Sequence, residues 1–192
     1  MTTSDETSDA DSRKNAILLK VGRNVANLQQ LEVRFKALQS IHLNAPMTKI
    51  TDAIRKHKEA IARQTLGPLT HETVDKLFPE QSPQAQFDDL TTEAWITSTL
   101  AFEGNEALKR NMRTQLKRLV DDRNQLIHHM FGGFDPRSAE SCSALELKLD
   151  AQRTHIAEVF RWVDEIIDLM RQYIAELKKK EQELRARNGN ET

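Results

Sequence analysis

The sequence predicts an all-α protein: an antiparallel helical bundle with a long C-terminal helix and one short strand-like insertion. Three observations carry this expectation. Apolar residues recur at three- and four-residue steps over long stretches, the spacing that aligns one face of a helix. Charged residues make up 30% of the 192 positions and aromatics only 5%, a balance typical of helix-rich proteins with modest cores. Asparagine, proline and glycine gather in short breaks between those stretches, at Asn44 and Pro46, Pro79 and Pro83, and Gly132 and Gly133.

Residues 1–12 lack apolar content and are expected to form a disordered tail. Leu18, Val21, Val25, Leu28, Leu31, Phe35 and Leu38 then mark the first helix, which ends before "HLNAPMT". Residues 48–64 read as a second helix with a thin apolar face of Ile50, Ile54 and Ile61. "LGPLTHETVDKLFPE" holds a short helix opened by Thr70, and Pro79 and Pro83 mark a linker.

"AWITSTLAFE" differs in kind. Its β-branched and aromatic residues alternate, with Ile96, Ser98, Leu100 and Phe102 on one side, as in a strand. A lone strand leaves its backbone groups unsatisfied, so it requires a second short strand or its copy in another subunit. The insertion is expected over about 79–104.

Residues 104–131 form the next helix, with Leu108, Met112, Leu116, Leu119, Val120, Leu126, Ile127 and Met130 in one sector. Gly132 and Gly133 end it. Asp135 then reads as an N-cap with Pro136 at the first helical position. The final helix carries Leu145, Leu149, Ile156, Phe160, Val163, Ile167, Met170, Ile174 and Leu177, and approaches about 75 Å if unbroken. One bundle over 13–180 is expected, followed by a charged, frayed tail over 181–192.

A formal net charge of −1 supplies no global attraction to nucleic acid or a membrane surface, so polyanion binding has to arise from a local patch. The single Cys142 excludes an intrachain disulfide framework and a cysteine-built zinc cluster. The acidic, hydroxyl-rich start is unlike a secretory signal, and no apolar run reaches about 18 residues, so a soluble cytoplasmic protein without a membrane partner is expected.

Within "VDDRNQLIHHMFGGFD", Arg123 falls near the centre of the apolar stripe. A guanidinium stays charged, and burying it unpaired costs several kcal/mol. Three arrangements satisfy such a cation: a carboxylate inside the bundle, a subunit interface, or a cleft that admits an anion. Asn124 and His128 share a face four residues apart, so the amide is placed to orient the imidazole. In an ideal helix His128 lies about 140° around from Arg123 and about 7.5 Å along it, so one helix does not aim both at one small target. Two copies crossing here would. An imidazole that exchanges protons near neutral pH and a planar guanidinium fork are the minimum for RNA cleavage by the 2′-hydroxyl: proton transfer and charge stabilisation. That chemistry needs no metal or cofactor. His129, about 100° further round, is a supporting candidate as an RNA contact or interface residue. Lys109, Arg113 and Lys117 track one flank between Arg123 and His128 and form a candidate RNA-backbone guide, or else a solvated face. Asp121 and Asp122 are placed to pair with Arg118 or to orient His129. Trp95 and Trp162 read as packing anchors, with base stacking as the alternative.

"DDRNQLIHHMFGGFD", then "SAESC", then "LDAQ", together with "GRNVANLQQLE" in the first helix, resemble the HEPN superfamily, specifically a group of small bacterial members. The resemblance spans most of residues 15–178, and its hallmark is the Arg-Asn-x3-His core. It implies a helical bundle, a homodimer that builds a composite cleft, and metal-independent endoribonuclease activity, with roles as toxins or in phage defence for many members and no activity for others. It assigns Arg123 and His128 to the catalytic pair and Asn124 to the polar residue after the arginine. An antitoxin or regulatory protein is a candidate partner. Members paired with a nucleotidyltransferase antitoxin carry a tyrosine two positions after the histidine, where this chain has Met130, which argues against that mode of control. Beside the nuclease stand two other classes: a silent RNA- or nucleotide-binding module, and a helical scaffold in which Arg123 is an interface ion pair.

Overall fold

The computed structural model describes residues 3–79, 95–102 and 106–188. Its elements are α1 (Thr3–Gln39), β1 (Leu43–Pro46), a 3₁₀ turn (Met47–Lys49), α2 (Ile50–Arg63), α3 (Leu66–Leu77), β2 (Trp95–Ser98), α4 (Glu106–Asn124), a π turn (Gln125–His129) and α5 (Ala139–Asn188). The fold is an all-α bundle with a small two-stranded sheet and a long C-terminal helix. No helix among the described residues is long and apolar enough to cross a membrane.

Strict alternation of four- and three-residue steps builds the core. In α1 the inward positions are Ile17, Val21, Asn24, Leu28, Leu31, Phe35 and Leu38. Ile17 is fully buried where Leu18 was expected, and Leu18 is 45% exposed. In α5 the inward positions are Cys142, Leu145, Leu149, Gln152, Ile156, Val159, Val163 and Ile166. Leu169, Tyr173 and Ile174 are exposed, so α5 leaves the bundle near Met170 and continues as helix.

Helix directions follow from who meets whom. Lys20 bonds Asp150 at 2.8 Å and Arg34 bonds Asp164 at 2.6 Å, each 130 residues apart. Equal offsets mean that α1 and α5 run parallel. Asp122 meets Gln152 and His155 at one level, while Met112 and Leu116 meet Trp162 and Val159 at another, so α4 runs against α5. Arg113 pairs with Asp75 at 2.7 Å and Gly67 lies against Val120, so α4 also runs against α3. The antiparallel expectation therefore holds around α4 and not between α1 and α5.

Several boundaries move. Residues 3–12 belong to α1 rather than to a tail. Within this stretch Asp9 pairs with Arg13 one turn on. The final helix has the expected length of about 50 residues and continues through Asn188, beyond the bundle boundary expected at 180. α3 starts at Leu66, before Thr70, because Pro68 is tolerated in a first turn where its missing N–H has no partner to lose. Before α5, Asp135 accepts the Arg137 N–H as a local turn, and the cap is Ser138, whose Oγ accepts from Ser141 N at 3.1 Å. Gly133 has φ +79°, the left-handed conformation expected after α4.

The strand-like insertion finds its partner within the chain. β2 pairs antiparallel with β1, in the register Leu43↔Ser98 through Pro46↔Trp95. Asn44 and Pro46, read from sequence only as helix breakers, are tolerated in a short edge strand. Thr97 Oγ1 donates to Asn44 Oδ1 at 3.0 Å, the Phe102 N–H donates to Leu77 O at 2.7 Å, and the Phe102 ring packs on Phe78. Residues 80–94 and 103–105, including the expected linker at Pro83, lie outside the described residues.

Candidate functional site

The buried stripe of α4 runs Lys109, Met112, Leu116, Leu119, Leu126 and Met130, and Arg123 fills the remaining position between Leu119 and Leu126. Its side chain is half-buried. The Arg123 Nη1 donates to Asn124 Oδ1 at 3.2 Å, and among the described residues Arg123 forms no salt bridge. Asn124 thus holds the arginine, and no bond from it to His128 is formed.

Directly after this pair the backbone widens into the π turn. A π turn closes i→i+5 instead of i→i+4, so residues five apart come toward one side. At roughly 85° per residue through the turn, the separation of Arg123 and His128 falls from about 140° to about 80°. Ile127 is 49% exposed, whereas Leu126 and Met130 on either side of it stay buried. His128 and His129 are exposed, with ring centroids 6.2 Å apart, and Phe131 beside them is also 49% exposed. The segment thus carries a half-buried guanidinium, two accessible imidazoles and two exposed apolar side chains. It can bind an anion, accept a proton and present an apolar rim.

The proposed RNA guide divides. Arg113 and Lys117 are exposed, although Arg113 is engaged by Asp75. Lys109 is only 5% exposed, which corrects its place in that track. Residues four apart drift by about 40° per step, so the line begins on the buried stripe at Lys109 and has reached solvent by Arg113. Leu108 also departs from expectation, being 44% exposed. Trp162 is half-buried against the core as a packing residue; the side chain of Trp95 lies outside the described residues.

A buried polar layer lies beside Arg123, and sequence reasoning missed it. Asp122 Oδ2 accepts from His155 Nδ1 at 2.9 Å and faces Arg118 Nε at 3.9 Å. Asp122 O accepts from Gln152 Nε2 at 2.7 Å, and Gln152 Oε1 accepts from Asn24 Nδ2 at 3.1 Å. Asn24 Nδ2 also donates to Leu149 O at 2.9 Å. Asn24, Gln152 and His155 are 0%, 5% and 2% exposed. The signal was present in the sequence: Asn24 and Gln152 interrupt regular apolar stripes just as Arg123 does.

No protein-family model, curated protein or solved structure matches the chain.

Proposed function

We propose that this chain is an endoribonuclease of the HEPN type, acting without a metal as a homodimer, with Arg123 and His128 as its catalytic pair. The observation that carries the reading is the arginine itself, which sits on a buried stripe with no salt bridge among the described residues, directly before a π turn that holds His128. A core cation without a carboxylate is a poor stabiliser but a good receptor for a phosphate.

In the proposed reaction the 2′-hydroxyl of one nucleotide gives its proton to the neutral His128 imidazole and attacks the neighbouring phosphorus. The P–O5′ bond breaks, the 5′-oxygen leaves with a proton from the second subunit's imidazolium, and a 2′,3′-cyclic phosphate remains. Arg123 stabilises the charge that develops on the non-bridging oxygens. Ile127 and Phe131 at the rim of the histidine surface supply apolar area for the facing copy. His129, Arg113 and Lys117 are supporting RNA contacts. The resemblance noted above extends the reading to a toxin or phage-defence effector, with an antitoxin or regulator as partner. Met130 is buried, so the position held by tyrosine in one subgroup offers no exposed group here.

The test is cleavage of end-labelled RNA with and without a chelator by the wild type, Arg123→Ala and His128→Ala. Cleavage that survives chelation and is lost in both variants supports the proposal. RNA binding without cleavage would replace it with a binding module, and neither binding nor cleavage would leave a scaffold.

A further inference from the structure

The three helices that carry the polar layer give up apolar positions at one level of the bundle, and that level is the one occupied by Arg123. α1 contributes Asn24 and α5 contributes Gln152 and His155; Gln152 and His155 grip Asp122, the residue immediately before the arginine, and Asn24 bonds Gln152. The grip is double. Gln152 Nε2 bonds the Asp122 main-chain carbonyl, and His155 Nδ1 bonds its carboxylate. A carboxylate only accepts, so Nδ1 carries the proton and His155 is held in one tautomer. Asn24 fixes Gln152 in turn, since its amide donates both to Gln152 Oε1 and to Leu149 O.

Polar groups in a bundle core add little net stability over apolar ones, but they tolerate few alternative registers. Here the register that they select sets the azimuth of α4 at residue 122. A side-chain donor on a helix carbonyl also competes with the regular ladder, one recognised cause of local widening. The Gln152 donor meets the Asp122 carbonyl three residues before the π turn begins at Gln125.

We infer that Gln152 and His155, braced by Asn24, are positioning residues: by holding Asp122 from both main chain and side chain they fix the Arg123 guanidinium and the π turn in the geometry that faces RNA. The inference rests on the nuclease reading for its consequence in catalysis, though the positioning itself is measurable without activity.

The experiment pairs two readouts on Gln152→Met, which keeps the side-chain length and removes the donor, and on His155→Leu, which refills a buried site with an apolar group. The first readout is the ¹H–¹⁵N resonance of Arg123 Nε–H, identified by its loss in Arg123→Lys, with the Trp162 indole on α5, the helix of Gln152 and His155, as a reporter of general packing. The second is RNA turnover. The expected result is an Arg123 resonance displaced or broadened in both variants with the Trp162 signal unmoved, and kcat reduced roughly ten- to a hundredfold at nearly constant KM. An Arg123 resonance identical to the wild type's overturns the inference, as does equal disturbance of Arg123 and Trp162, which marks general loosening. Should Gln152→Met fail to fold, His155→Leu decides by the same criteria. A wild type that does not cleave RNA removes the nuclease reading and leaves the resonance test standing.

Discussion

If Arg123 serves a ligand rather than the fold, replacing it with leucine should stabilise the protein. The position lies between Leu119, fully buried, and Leu126, 3% exposed, on the inward stripe of α4. Fully burying a leucine side chain is worth about 1.5–3 kcal/mol, so a half-buried site yields about 1 kcal/mol. Loss of the Arg123–Asn124 hydrogen bond offsets roughly 0.5 kcal/mol. Relief of a partly desolvated guanidinium with no salt bridge among the described residues returns about as much or more. Leucine and arginine have similar helix propensities, so that contribution is near zero. The net is about 1 kcal/mol of added stability, or a rise of about 2–4 °C in Tm for a chain of this size. The assay is urea unfolding followed by circular dichroism at several protein concentrations, so that dimer dissociation is separated from unfolding. An arginine locked against an acid would instead lose about 3–5 kcal/mol on substitution. A destabilisation of that order would refute the reasoning, and with it the case for a waiting anion site.

His128→Ala should leave urea stability within about 0.5 kcal/mol, because the side chain is exposed, while reducing RNA cleavage by about a hundredfold or more. Phe35→Ala, at a fully buried centre of the α1 stripe, should destabilise by about 3–5 kcal/mol in the same unfolding assay. The His42 imidazole is held down at about 4, against an ordinary 6.5, first by burial and then by the nearby charges of Lys76 and His57. Its neutral form is thus favoured in the fold, and the unfolded chain takes up the proton first. Stability should therefore be unaffected above about pH 6.5 and fall as pH drops from there toward 4. Because the imidazole is only half-buried, solvent screening limits the loss to about 1 kcal/mol, and His42→Gln should flatten that part of the stability–pH profile.

Much of this was readable in the sequence, for reasons that also explain what was not. Periodicity placed α1, α4 and α5 and put Arg123 on an inward stripe, because burial imposes a repeat that survives in the residues themselves. It slipped by one at Leu18 and Ile17, since a single helix does not reveal which edge of a broad apolar face meets its neighbour. β2 was legible from β-branched content, whereas β1 was not: Leu43–Pro46 has no strand chemistry of its own and is extended because β2 lies beside it. The π turn left no local mark, as no glycine or proline occurs in Gln125–His129. It goes with contacts from α5, 30 residues away in sequence. The polar layer was overlooked for the converse reason. Asn24, Gln152 and His155 are ordinary residues one at a time, and only their common level in the bundle makes them a group.

The proposed nuclease activity is tested most directly by the ends of any RNA product. A short RNA and the same strand with 2′-O-methyl groups throughout should be incubated with the wild-type protein in chelator, and the product ends identified by mass. Cleavage of the unmodified strand alone, leaving 2′,3′-cyclic phosphate and 5′-hydroxyl ends, is the predicted result. An unmodified strand left intact, or a methylated strand cut just as well, would contradict it.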